Sequence, residues 1–310
     1  MLVGTCFFGK GWGYLPKSLF ADEFKNLSGE NVKELYRDFS QHSIDVLLDY
    51  LKYSHIGSDF SKYLDPAKHD AVIVPLEHIF PGVIKKLEYE NKICRKFAKA
   101  TCFKFFTPET VCYHHGLKFL DANVIEYIKH KVFIDCGAFV GDSAYVFSQY
   151  APHKIIAFEP SHKNCEICRG NLKKEKIDCV EIIQAALSDE PGQLYFSDAG
   201  AQTALSAERN GILVKVETID EFVKQNNYEN IGVIKADLEG MGLKMIRGAI
   251  KTIKRDRPVL LIAIYHNQDE FMGIYKFLKE NISNYCYKIE ALFGFSEITL
   301  IAYPENGIAH

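Results

Sequence analysis

The apolar positions of this chain fall into two regimes that meet near residue 130. Beyond it, short and nearly continuous apolar runs alternate with longer stretches whose apolar residues return every three or four positions. The runs 131–136 (KVFIDC), 154–158 (KIIAF), 180–187, 231–236 and 258–265 (PVLLIAIY) predict strands. The last is too apolar to be exposed on either face. The stretches 141–150, 161–174, 219–225, 242–254 and 269–282 predict helices, and Ser161 stands where an N-cap belongs. Residues 193–197 and 213–218 predict further strands around a polar loop, 198–210, and 286–291 with 297–302 predict a closing hairpin. Such alternation predicts an α/β fold: a Rossmann-like, doubly wound, mostly parallel sheet with helices on both faces and an antiparallel hairpin at its end. Ligands of such sheets bind beyond the carboxyl ends of the strands, which is where to look for chemistry.

Residues 1–129 carry no such repeat. Positions 46–53 (VLLDYLKY) and 84–98 predict amphipathic helices, and 70–75 (DAVIVP) a short buried strand stopped by proline. Gly9, Gly11 and Gly13 surround the single tryptophan, Trp12, in what reads as a plain loop, because no strand clearly leads into it and no helix opens after it. The expectation is a smaller mixed N-terminal region, 1–115, packed over the cleft of a larger domain, 116–310, and shaping the choice of acceptor. His114 and His115, just before the first strand, are expected at the surface or in a linker.

Composition narrows the classes. The net charge is −3, without the basic excess that drives phosphate binding, so nucleic acid is not the expected partner. The nine cysteines read as free thiols of a reducing compartment. Cys165 and Cys168 have C-x-x-C spacing but lack the second ligand pair of a zinc site, and no metal is expected. No apolar stretch nears the ~20 residues of a membrane span. No basic segment precedes the apolar run 2–8, so a cytoplasmic protein is expected.

The chemistry concentrates after the first two strands. The first ends in Asp135-Cys136-Gly137-Ala138-Phe139-Val140-Gly141-Asp142-Ser143, whose glycines permit a sharp strand-to-helix turn and close approach to a ligand. The second ends in Phe158-Glu159-Pro160, where an acid can bind both hydroxyls of a ribose and proline stops the ladder. A dinucleotide site shares this outline, but its fingerprint is G-x-G-x-x-G, and its anionic pyrophosphate would face Asp135 and Asp142. S-adenosylmethionine carries a sulfonium and an ammonium, and it suits an acidic turn. Helix capping explains either acid alone, but not both acids, the glycine turn and Glu159 together.

The segments FIDCGAFVGDSA (133–144), AFEPS (157–161), AALSDEPGQLYF (185–196), VETIDEFV (216–223), VIKADLEGMGLKMIRGA (233–249) and PVLLIAIYH (258–266) occur in an order that resembles the FkbM family of methyltransferases. The resemblance implies a Rossmann-like methyltransferase fold and O-methylation, commonly of surface-polysaccharide sugars or small natural products. Carried over by position, it implies that Asp135, Gly137 and Gly141, with Ala138, Asp142 and Ser143 of the same turn, hold the methionine part. It implies likewise that Glu159 and Pro160 sit at the ribose, and Gln184, Ala185 and Ala186 at the adenine. The family's fourth-strand pattern is K-x-D-x-E-G-x-E. Here it reads Lys235-Ala236-Asp237-Leu238-Glu239-Gly240-Met241-Gly242, so the last acid is replaced by Gly242.

Methyl transfer needs in-line alignment of acceptor and methyl–sulfur bond, and a hydroxyl acceptor needs a base. Asp237 and Glu239 follow the fourth strand, and i, i+2 spacing on an extended chain would turn both into one cleft. His266 closes the fifth strand and titrates near neutral pH. His266 or Asp237 is the expected base, with Lys235 setting the charge of a carboxylate. The loop 198–210 is expected as a lid or acceptor-binding segment. The leading expectation is an O-methyltransferase with a small-molecule or glycan acceptor. The alternatives are a cofactor-binding protein with weak or lost catalysis, which Gly242 motivates, and a nicotinamide-dependent oxidoreductase. The sequence does not specify an oligomeric state.

Overall fold

A computed structural model describes residues 13–15, 24–58, 72–74, 82–197, 204–206, 212–294 and 297–305. Seven strands form the main sheet: β1 (Val132–Cys136), β2 (Lys154–Phe158), β3 (Val180–Ile183), β4 (Ile231–Ala236), β5 (Val259–Ala263), β6 (Tyr285–Phe293) and β7 (Glu297–Pro304). Their order is β6-β7-β5-β4-β1-β2-β3. The chain runs parallel from β5 through β3, and β7 pairs antiparallel with both β5 and β6. Every residue of β1, β4 and β5 is buried, as central strands covered on both faces must be.

Alternate residues of these strands enter two cores. Ile134, Ile156, Ile234 and Ile262 join one face, packed by the helices Ile219–Gln225, Gly242–Arg247, Ile250–Asp256 and Ile274–Asn281. Phe133, Ile155, Val233 and Leu261 join the other, packed by Ala122–Ile128, Asp142–Ser148 and His162–Lys174. Ser161 caps the last of these, its hydroxyl accepting from the Asn164 N–H. The N-terminal helices Gly29–Leu35 and Gln41–Ser58 share the first core through Val32, Leu47 and Tyr50. Tyr50 donates from its hydroxyl to the Tyr265 carbonyl at 2.6 Å, tying this region to the end of β5.

Several elements differ from the pattern-based expectation. The run 180–187 is two strands: after Gln184 the chain leaves β3, and Ala186–Leu187 pairs instead with Ile212–Glu217 in a separate four-stranded sheet. An apolar run does not reveal a change of partner. The helix expected over 242–254 breaks at Gly248, where a Cβ would lie 2.2 Å from the Ser188 carbonyl oxygen. The stretch 269–282 opens with a wide turn, Asp269–Gly273, before helix Ile274–Asn281. Within 198–210, Ala204–Ser206 is a strand on Gly192–Ser197, and the rest of that loop lies outside the described residues. Gly13 begins a strand, Gly13–Leu15, paired with Val72–Val74, so it is not loop; Gly9, Gly11 and Trp12 lie outside the described residues. The eight described cysteines are free. Among the described residues no helix is long and apolar enough to cross a membrane.

Candidate active site

The turn after β1 depends on glycine. Gly137 has φ 86° and Gly141 φ 88°, both left-handed. A Cβ on Gly137 would lie 2.2 Å from the Asp237 carbonyl oxygen, so the loops after β1 and β4 touch backbone to backbone. The Gly137 and Ala138 N–H groups donate to the Phe158 carbonyl at 3.0 and 2.9 Å, locking the turn to β2. Glu159 is buried, with one oxygen accepting from the Phe139 N–H at 2.9 Å and the other from the Ser161 N–H at 2.9 Å and Asn164 Nδ2 at 3.3 Å. Burial pushes its carboxyl up, and these hydrogen bonds restrain the rise. A carboxylate has about four acceptor sites, so three bonds leave about one for a ribose, fewer than the two hydroxyls expected. Ser143 is buried in the helix opened by Asp142, and Pro160 is half-buried. Gln184 is exposed, with Oε1 3.2 Å from His162 Nδ1, while Ala185 and Ala186 are buried beside it.

Beneath the turn lies a buried ion pair. Lys235 Nζ stands 3.2 Å from Asp135 Oδ1 and donates to the Gly137 carbonyl at 2.9 Å. Burial alone would lower the lysine, but the Asp135 and Asp237 charges hold it above its ordinary value. Neither Asp135 oxygen accepts a well-aligned hydrogen bond among the described residues, although the residue is fully buried. Lys235 thus bonds to the turn after β1, and its charge also reaches Asp237 after β4.

His114 and His115 are both buried, which overturns the expectation of surface or linker positions. Their left-handed backbone (φ 49° and 55°) opens a turn tucked against the sheet, where a Cβ on Gly116 would meet Ile301 at 2.8 Å. His115 Nδ1 lies 2.9 Å from Glu109 Oε1, and its Nε2 lies 3.3 Å from Thr110 Oγ1. Thr110 donates to Asp142 Oδ2 at 3.0 Å. His114 Nδ1 contacts the Tyr150 hydroxyl at 2.8 Å, and burial pushes this imidazole down to about 4. Thr110, Glu109 and His115 reach the glycine turn after β1 from outside the parallel-sheet motifs, so no strand-end motif marks them.

The acids after β4 converge on His266, but not along an extended strand. β4 ends at Ala236, and the chain turns through Glu239 (φ 50°) and Gly240 (φ 99°). His266 Nε2 lies 3.1 Å from Asp237 Oδ1 and 3.9 Å from Glu239 Oε2, and Nδ1 lies 2.7 Å from Glu270 Oε2. The Tyr265 ring lies against the His266 ring, 4.1 Å between centroids and tilted by 35°. Burial disfavours a charged imidazole, but Glu270 and Asp237 outweigh it and raise His266 well above its usual value. Burial likewise opposes ionisation of Asp237, yet the His266 hydrogen bond and charge and Lys235 hold its carboxyl below the usual range. Glu239, with a third of its side chain exposed, is pushed up to about 7 by burial and by Asp237 and Glu270, against His266. Glu297, at the start of β7, is raised well above its ordinary value by burial and by Glu109 and Asp237. Asn267 clamps the two loops, donating from Nδ2 to the Gly240 carbonyl at 3.1 Å and accepting the Glu270 N–H at 2.8 Å. Among the described residues no group of three or more His, Cys, Asp or Glu is placed to hold a metal ion.

Strand order, helices on both faces and a cluster of acids beyond the carboxyl ends of β1 and β4 define a Rossmann-like methyltransferase architecture. The family model described as "Methyltransferase FkbM domain" matches residues 135–289, half of the chain. The chain belongs to the FkbM methyltransferase family. It is similar in structure to the methyltransferase FkbM from Methylobacillus flagellatus KT, with TM-score 0.59 and 16% identity over 92% of this chain. This chain spans 61% of that protein's length. An O-methyltransferase from Bacillus cereus, determined in complex with SAH, aligns more distantly: TM-score 0.41 and 10% identity, over 74% of this chain and 94% of that one. None of the curated proteins matches the sequence.

Proposed function

We propose that this chain transfers a methyl group from S-adenosylmethionine to a hydroxyl of a sugar, glycan or related small molecule. The observation that carries the reading is Asp135: a fully buried carboxylate at the glycine turn whose oxygens lack well-aligned hydrogen bonds. Lys235 answers Oδ1 as an ion pair at 3.2 Å, which leaves Oδ2 as the costly buried acceptor, and a ligand ammonium would supply its donor. The surrounding charge agrees, because Asp142, Glu159, Asp237, Glu239 and Glu270 face the fixed cations Lys235 and His266. In this reading Asp135 and the turn Gly137–Ser143 hold the methionine part, Glu159 accepts from a ribose hydroxyl, and Gln184 to Ala186 border the adenine. The cofactor, when bound, supplies a methyl group activated on a sulfonium.

The chain's own residues divide the remaining work. His266, held as an imidazolium, is a poor base and instead fixes Asp237 in its ionised form. Glu239 is the group whose proton affinity lies near neutral pH and which is open to the cleft, so it takes the acceptor proton. This moves the base from His266 or Asp237 to their neighbour. The test is methyl uptake from labelled S-adenosylmethionine across neutral sugars, nucleotide sugars and glycans. Transfer to one of them that is lost in Glu239→Gln supports the reading. Transfer to nitrogen or carbon acceptors alone contradicts it.

A further inference from the structure

Glu270 is 1% exposed, and both of its oxygens are engaged. Oε1 accepts the Gly242 N–H at 2.7 Å and Oε2 meets His266 Nδ1 at 2.7 Å. Gly242 is the first residue of the helix Gly242–Arg247 and is absent from the glycines with left-handed φ, unlike Gly137, Gly141 and Gly240. Its backbone therefore accepts any L-residue, and only space requires glycine there. A Cβ at 242 would lie 2.7 Å from Glu270 Oε1, 3.3 Å from its Cδ and 3.4 Å from Ile274 Cδ1.

We infer that Glu270 is the positioning carboxylate of this site, lodged in the space that a side chain at 242 would occupy, so that position 270 supplies the acid that the fourth-strand motif lacks. Retreat of Glu270 from a new Cβ would break one of its two bonds, stranding a buried charge. Its contact with Nδ1 also fixes which imidazole nitrogen faces Asp237 and Glu239. The groups facing His266 are Asp237 and Glu239 from the loop after β4, Glu270 from the turn after β5, Glu297 from β7, and the adjacent Tyr265 ring. Glu270 touches no reacting atom; it acts through His266 on the two acids beyond it. Glycine at 242 is then an exchange and no sign of decay. The catalytic meaning of this exchange rests on the function proposed above, but the exchange itself is read without cofactor or acceptor.

The experiment compares the ligand-free full chain with Glu270→Gln, Glu270→Ala, Gly242→Glu and the double variant Gly242→Glu/Glu270→Ala. The His266 ring is titrated by NMR with labelled histidine, and thermal melting is followed in parallel. Glu270→Gln keeps the shape but not the charge, so His266 should titrate at lower pH than in the native chain. Gly242→Glu alone should lower the melting temperature by at least about 5 °C. The double variant should melt above it and move the His266 titration back up from that of Glu270→Ala. An unchanged His266 titration in Glu270→Gln overturns the inference. So does a double variant that melts no higher than Gly242→Glu, whether or not that single variant folds.

Discussion

His266 and Glu239 stand 3.9 Å apart, and their surroundings give them opposite duties. Glu270 and Asp237 keep the histidine charged, while burial and the crowding of like charge hold Glu239 at about 7. A carboxyl raised in this way contributes stability that is fully present below its unfolded pKa and is lost as pH rises through about 7. Glu239→Gln should therefore flatten the fall in melting temperature over that window relative to the native chain; an identical pH dependence in the two would remove Glu239 as the neutral-range group. On the proposed reading, Glu159→Ala should weaken binding of S-adenosylhomocysteine by more than about tenfold, because it removes the charge-assisted bond proposed to the ribose. Calorimetry reads this directly, and unchanged affinity would sink the ribose assignment. The sequence shows Asp135, Glu159, Asp237, Glu239 and His266 because each lies at or within three residues of the end of a strand. It hides Glu109, Thr110 and His115, which reach the site only by tertiary packing. Glu270 lay within reach, four residues beyond His266, and a glycine in place of an acid was the signal to look for it.

At the scale of elements, β1 and β4 are joined by more than their ladder. Lys235 on β4 pairs with Asp135 on β1 and holds the Gly137 carbonyl, so one buried lysine ties strand to turn. Lys235→Met should cost about 3–5 kcal/mol, since it leaves Asp135 buried and unpaired. Chemical denaturation should show Lys235→Met/Asp135→Asn regaining a large part of that loss; a double variant as unstable as the single would mean the pair is not the cause. The strands of the sheet centre were legible because each is a closed apolar run between helices. The misreadings have a common origin. The run at 180–187 keeps its apolar pattern while changing sheets at Gln184, and the helix at 242–254 keeps its period across Gly248. In both places a contact distant in sequence decides the boundary, Ile212–Glu217 for the strand and Ser188 for the helix.

For the whole molecule, the N-terminal residues are part of the site's frame. Tyr50 holds the Tyr265 carbonyl, and Thr110 holds Asp142, so hydrogen bonds from residues before 116 reach both the end of β5 and the turn after β1. The molecule's net charge of −3 gives no hint of the local field, because the acids at the strand ends are buried together and, among the described residues, Lys235 is the one lysine or arginine buried with them. That cluster of acids carries the proposed reading, in which the site takes a cationic donor and disfavours an anionic dinucleotide. The measurement that tests it most directly is a calorimetric titration of the folded chain with S-adenosylhomocysteine, whose ammonium Asp135 should receive, alongside NAD. The account predicts binding of the thioether, lost in Asp135→Asn/Lys235→Met, and none of NAD. Binding of NAD, or no binding of the thioether, would contradict it.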